Sequence, residues 1–155
     1  TAGLHADFID IAMGNGLITP GAVSVLGTPV DLSEIQADTY VVAGVADHIT
    51  PCQNCYRSTQ LLGGDTRFVL STSGHIAALV NPPGNAKSTF KTNKDTSGEA
   101  AEWLASADTE QGSWWPDFAS WLGERSGPTT AAPQHLGGGG LRPLTEAPGT
   151  YVFEQ

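Results

Sequence analysis

Between Asp38 and His75 the apolar positions change period twice, and the rest of the chain is arranged around that stretch. Tyr40-Val41-Val42-Ala43-Gly44 is a continuous apolar run rich in β-branched residues. That is the pattern of a strand buried on both faces of a parallel sheet. The run gives way to Asp47-His48. Thr50 then reads as the cap of a helix whose first residue is Pro51, where a missing N–H is no loss. The helical pattern extends to Leu61-Leu62 and stops at Gly63-Gly64, which suits a left-handed C-terminal cap. Arg67-Phe68-Val69-Leu70 is the next strand, and Ser71-Thr72-Ser73-Gly74-His75 follows it.

A strand, a crossover helix and a second strand make one right-handed βαβ unit with parallel strands. Asp47 and His75 therefore both leave the carboxyl ends of their strands, the edge where open α/β sheets place ligands. Neighbouring strands lie roughly 4.8 Å apart, so the two loops can bring carboxylate and imidazole into contact. A carboxylate that orients an imidazole is two-thirds of a nucleophilic triad. In α/β-hydrolases the order is nucleophile, acid, histidine. The nucleophile should therefore come earlier than Asp47, but no G-x-S-x-G or G-x-C-x-G occurs in the chain, so the first member of the triad is missing from it. Either Asp47 or a lone S-G-H, taken singly, is an ordinary turn feature; the pairing across one βαβ unit is what points to chemistry.

Elsewhere the periodicity is weaker. Leu4 to Met13 reads as an amphipathic helix ended by Gly14-Asn15-Gly16, with His5 on its solvated side. Pro20-Gly21 is a turn, and Val23 to Leu26 a short apolar run fit for an edge strand. Asp31 and Asp38 precede the first strong strand and read as turn and cap residues. Ile76 to Val80 is one helical turn stopped by Asn81-Pro82-Pro83-Gly84, and residues 84–98 read as a polar surface excursion. Glu99 to Ala107 is a helix with Trp103 and Leu104 inward. In Ser113 to Leu122, Trp114, Phe118 and Trp121 share one apolar helical face, which reads as core packing. From Gly127 the Gly/Pro-rich composition is that of a flexible tail, and Glu146 to Val152 reads as a short docked strand or turn. The expected division is residues 1–126 as part of a catalytic domain and 127–155 as the tail.

Composition narrows the partners. A chain of 155 residues is long enough for one core but short of the roughly 240 that eight strands need at about 30 residues per unit. Thr1 in place of Met agrees with a C-terminal piece of something longer, though it does not by itself establish one. A net charge of −9 argues against nucleic acid and anionic membranes. No run is apolar enough to span a bilayer and no signal peptide is evident. The expectation is a cytoplasmic protein.

Cys52 and Cys55 form a C-x-x-C at a predicted helix N-terminus, where the dipole would lower a thiol pKa. No second cysteine pair completes a zinc site, and His48, His75 and His135 lack ligand spacing, so no metal is expected. Cys52 fails as an acyl nucleophile because it lies inside the acid-to-histidine crossover.

The segments LGTPVDLS (26–33), DTYVVAGVADHITP (38–51), CYRSTQLLGG (55–64) and FVLSTSGHIAALVNPPGN (68–85) resemble the C-terminal part of class I/II polyhydroxyalkanoate synthases. SWWPDF (113–118), WLGERSG (121–127) and EAPGTYV (146–152) extend the resemblance over nearly the whole chain. It implies the C-terminal portion of an α/β-hydrolase-like fold, with parallel strands, crossover helices and C-terminal helices. It also implies an upstream cysteine nucleophile, with Asp47 and His75 at the family's catalytic aspartate and histidine and His48 in a supporting place. The implied substrate is a 3-hydroxyacyl-coenzyme A thioester, added to a growing polyester with no further cofactor. A homodimeric parent at the surface of polyester granules is implied as well. The family usually has tryptophan where this sequence has Cys52, which makes the C-x-x-C look accidental.

Two other readings remain open at this point. An esterase or depolymerase of the same fold would show an upstream serine elbow or hydrolysis without chain growth. A non-catalytic interaction or dithiol redox module would fold alone and show a titratable dithiol. The leading reading expects the 155-residue piece to be inactive without its thiol, and to aggregate or stay molten through an exposed apolar strand edge.

Overall fold

The computed structural model describes residues 1–135 and 137–154. The chain divides into two compact units, one from Thr1 to Leu122 and one beginning at Gly123.

The first unit opens with α1 (Ala2–Gly14), whose first turn is capped by the Thr1 hydroxyl accepting from the Leu4 N–H. Asn15, at φ 47°, ends it in the left-handed conformation that asparagine tolerates. None of its residues is buried, although Leu4, Phe8 and Ile9 face outward from an otherwise ordinary helix. The apolar run after Pro20-Gly21 contributes β1 (Ser24–Val25), paired antiparallel with β2 (Thr28–Pro29) in a two-stranded ribbon.

The main sheet has four strands in sequence order: β3 (Thr39–Gly44), β4 (Thr66–Ser71), β5 (Thr89–Asn93) and β6 (Asp108–Gln111). β3 and β4 run parallel in the register Thr39 to Thr66 through Gly44 to Ser71. Between them lie α2 (Cys52–Arg57) and a 3-10 turn over Ser58–Gln60, so the crossover is shorter than the helical pattern suggested. Gly63 and Gly64 do not adopt a left-handed cap. Both N–H groups donate to the Ile35 carbonyl, and a side chain on Gly63 would sit 2.0 Å from the Ser33 carbonyl oxygen. Close backbone approach, not turn handedness, is what requires glycine there.

The expectation of an all-parallel sheet is corrected beyond β4. After α3 (Ala77–Val80), residues read as a surface excursion form β5, which pairs antiparallel with β4, and β6 pairs antiparallel with β5. The architecture is α/β with a mixed sheet. β5 buries Phe90 while Thr89, Lys91, Thr92 and Asn93 are half-buried, and a strand with one apolar residue among polar ones reads as polar. Between the two strands, α4 (Ala100–Ser106) carries a reciprocal capping box of Glu99 and Glu102. It buries Trp103 but leaves Leu104 exposed, against the inward placement expected for it. α5 (Trp115–Gly123) follows β6.

Side-chain alternation on β3 and β4 divides the core. Val41, Ala43, Phe68 and Leu70 face α2 and α4, where Tyr56 and Trp103 complete an edge-to-face aromatic cluster. Tyr40, Val42 and Val69 face the other way, where Phe90, Trp114 and Phe118 cover them. Tyr40 and Arg67 tie that layer down: the Tyr40 hydroxyl donates to Asp117 Oδ2 at 2.6 Å, and Arg67 grips the same carboxylate with two nitrogens. β3 is packed on both faces as its composition suggested, and it is only half-buried over most of its length because it is an edge strand of the sheet.

In the second unit, Gly138 and Leu141 form an isolated antiparallel bridge and Tyr151–Phe153 a 3-10 turn, in the segment expected to hold a last strand or turn. Leu136 and Gln155, inside the predicted 127–155 tail, lie outside the described residues.

Candidate active site

Two loops leave the carboxyl ends of β3 and β4 and are stitched together by their backbones. The Val45 N–H donates to the Ser71 carbonyl at 2.9 Å, and the Ala46 N–H to the Ser73 carbonyl at 3.0 Å. The approach is close. A side chain on Gly44 would stand 2.9 Å from the Ser73 carbonyl oxygen and 3.0 Å from the Ala78 Cβ. Ser73 itself has φ 86°, a conformation that L-residues rarely hold and that strained loops at functional sites often contain.

These loops place His75 Nδ1 2.9 Å from Asp47 Oδ2. The structure thus brings together the acid and the imidazole singled out from the sequence. The Asp47 side chain is 7% exposed and that of His75 41%. Asp47 is turned by its own neighbours: Oδ1 accepts the N–H groups of Ile49 and Thr50 at 2.9 and 3.0 Å, and Oδ2 accepts the Thr50 hydroxyl at 2.7 Å. These bonds, the Thr50 N–H foremost, hold the carboxyl well below the ordinary carboxylate range. An ionised carboxylate can only accept, so the imidazole must carry its proton on Nδ1. The exposed ring then presents Nε2 as a base. His48 stands exposed in the same turn, and the pair is built without it.

Thr50 was expected to cap the following helix and does not. Pro51 occupies the cap position with no side-chain bond, and the Thr50 hydroxyl is spent on Asp47. Aspartate commonly accepts the backbone N–H two residues on in a turn, here that of Ile49, but that pattern does not assign the Thr50 hydroxyl.

Cys52 and Cys55 are free thiols, half-buried against the Tyr56–Phe68–Trp103 cluster. The Cys55 thiol donates to the Thr50 carbonyl at 3.6 Å. Burial pushes its pKa up, the reverse of the helix-dipole expectation; a six-residue helix is a weak dipole, and desolvation of a thiolate dominates. Among the described residues no three His, Cys, Asp or Glu side chains are grouped to hold a metal, and no helix is long and apolar enough to cross a membrane.

Two further residues hold the histidine loop, one of which, Trp114, sequence periodicity assigns only to the core. The Trp114 and Trp115 indole N–H groups donate to the Ala78 and Leu79 carbonyls of α3, which begins two residues after His75.

No family model matches the chain. Among curated proteins it is 46% identical over 154 residues to poly(3-hydroxyalkanoate) polymerase 1 of Ectopseudomonas oleovorans, covering 99% of this chain and 28% of that protein. It is 47% identical over 152 residues to poly(3-hydroxyalkanoate) polymerase 2 of the same organism, covering 98% of this chain and 27% of the relative. The poly(3-hydroxyalkanoate) polymerase subunit PhaC of Cupriavidus necator is 44% identical over 138 residues, 89% of this chain and 23% of that protein. The chain spans about a quarter of the length of the curated relatives it matches, and over most of its own length it is related in sequence to these polymerases.

Proposed function

We propose that this chain, related in sequence to the poly(3-hydroxyalkanoate) polymerases, is the acid- and histidine-bearing C-terminal part of an α/β-hydrolase-like acyltransferase. The whole protein polymerises (R)-3-hydroxyacyl-coenzyme A thioesters with release of coenzyme A. The observation that carries this reading is the His75 Nδ1–Asp47 Oδ2 contact of 2.9 Å at the carboxyl ends of adjacent parallel strands.

The chemistry follows from that pair and from a thiol supplied by polypeptide outside this chain. His75 Nε2 takes the thiol proton, and the thiolate attacks the thioester carbonyl. The carbon–sulfur bond to coenzyme A breaks, and the departing thiolate takes the proton from the imidazolium. Asp47 keeps the ring in the required tautomer and stabilises the imidazolium meanwhile. A chain hydroxyl, deprotonated by the same imidazole, then attacks the acyl-enzyme; an ester bond forms and the enzyme thiol is regenerated. Chain growth in place of hydrolysis requires that water be kept from the acyl-enzyme. His48 has a supporting place beside the substrate, and no cofactor beyond the coenzyme A of the substrate is needed. The parent is proposed to act as a cytoplasmic homodimer at the surface of polyester granules.

The test is made in the complete polypeptide, with coenzyme A release and polymer measured together. Asp47→Asn and His75→Gln are each expected to lower coenzyme A release by about 10³-fold or more. The 155-residue chain by itself is expected to release none. Full activity in either variant sinks the reading. Free 3-hydroxy acid without polymer would assign the same pair to a hydrolase instead.

A further inference from the structure

Thr50 has two groups on Asp47, and neither was read as part of the site from the sequence. We propose that Thr50 is a positioning residue of the Asp47–His75 pair, its hydroxyl fixing the one carboxylate oxygen that the imidazole uses. The inference rests on the acyltransfer reading above and deepens it.

The argument begins with the torsion of an aspartate carboxyl, which is broad and roughly two-fold. Two backbone N–H groups pin Oδ1, at 2.9 Å from Ile49 and 3.0 Å from Thr50. They leave the carboxyl plane free to rock about that oxygen. The Thr50 hydroxyl, 2.7 Å from Oδ2, removes that freedom, and Oδ2 is the atom facing His75 Nδ1 at 2.9 Å. One oxygen thus accepts from both the hydroxyl and the imidazole.

Thr50 is well suited to the task. As the residue before Pro51 its backbone is confined to extended conformations, and its branched side chain is stiff about χ1. Its hydroxyl has no competing duty at the helix start: the N–H groups of Asn54 and Cys55 both go to the Pro51 carbonyl. Its own carbonyl is engaged by the Cys55 thiol at 3.6 Å, which anchors the turn to α2 from behind. A threonine serving only the fold of the turn would not need its hydroxyl on the oxygen that the histidine shares.

The test compares Thr50→Val and Thr50→Ala, which lose the hydroxyl but keep the N–H, with Thr50→Ser, which keeps both. All are made in the complete polypeptide beside Asp47→Asn and His75→Gln. Partners that orient metal-ligating side chains are worth about 10- to 100-fold, and on that scale the valine and alanine variants should lose about 10-fold in kcat. KM for the acyl-coenzyme A should stay unchanged, and serine should remain within about two-fold of the parent, since a loss confined to kcat marks an interaction made in the transition state. In proton NMR the downfield His75 Nδ1–H signal should shift or broaden in the valine and alanine variants and persist in the serine one. Parental kcat and an unmoved signal in valine and alanine, or an equal loss in all three variants, overturns the inference. If that happens while Asp47→Asn and His75→Gln abolish turnover, only Thr50's role is lost; if those two variants stay active, the acyltransfer reading falls first.

Discussion

The indole N–H of Trp114 donates to the Ala78 carbonyl oxygen at 2.8 Å, so a buried ring outside α3 supplies the partner for that helix's end. Helix termini leave carbonyls unsatisfied, and a four-residue helix has almost no stability of its own. Trp115 repeats the arrangement on Leu79 at 3.1 Å, its ring stacked on that of Trp114. Trp114→Phe keeps most of the ring and orphans a buried carbonyl. It should destabilise the fold by about 1–3 kcal/mol, measured by urea denaturation of the complete polypeptide, and more than Trp115→Phe, whose ring is partly exposed.

Tyr40 gives the fold an alkaline limit. Burial and the Asp117 carboxylate push the Tyr40 hydroxyl far above its ordinary pKa of 10.0. A group whose pKa is raised on folding contributes stability that is complete below its unfolded value and is lost as pH rises above it. Stability should therefore fall as pH climbs past about 10, and Tyr40→Phe should flatten that slope. Denaturation midpoints of both proteins between neutral and strongly alkaline pH check this; parallel curves would refute it.

Asp47 acts at the opposite end of the scale. Its carboxyl is held below the ordinary 3.8, chiefly by the Thr50 N–H. A depressed carboxyl contributes stability that is present above its unfolded pKa and is lost as pH falls through the folded one. Below about pH 4 the parent should lose stability faster than Asp47→Asn, which cannot titrate. Acid denaturation followed by tryptophan fluorescence distinguishes them.

Gly44 is a prediction about distance. With a Cβ 2.9 Å from the Ser73 carbonyl oxygen, Gly44→Ala must displace backbone, and the backbone concerned leads to His75. Overpacking of this kind costs about 1–3 kcal/mol, and here it should also reduce turnover in the complete polypeptide. Gly84→Ala, where nothing lies within 4 Å, is the control and should be neutral.

The βαβ unit and its acid–imidazole pair were legible because strong apolar runs mark β3 and β4 and topology then dictates which loops meet. The hairpin of β5 and β6 was not. Asp108-Thr109-Glu110-Gln111 contains no apolar residue, and such a strand exists only because β5 offers it backbone partners. No periodicity can reveal that. Thr50 was misassigned for a related reason. A threonine before Pro51 fits a helix cap and an aspartate turn equally well by spacing, and only the hydrogen bonds decide. The crowded glycines 63 and 64 show a similar ambiguity, since glycine permits both a positive φ and a near backbone, and here the near backbone is the cause.

The mixed sheet has two unlike margins. On the β6 side, Asp108 and Glu110 line an exposed border whose negative charges repel further strands. On the β3 side the border is Tyr40-Val41-Val42, apolar and ready to pair. Enlargement is therefore one-way. A newcomer docking alongside β3 in the same direction would deliver its own C-terminal bend next to Asp47.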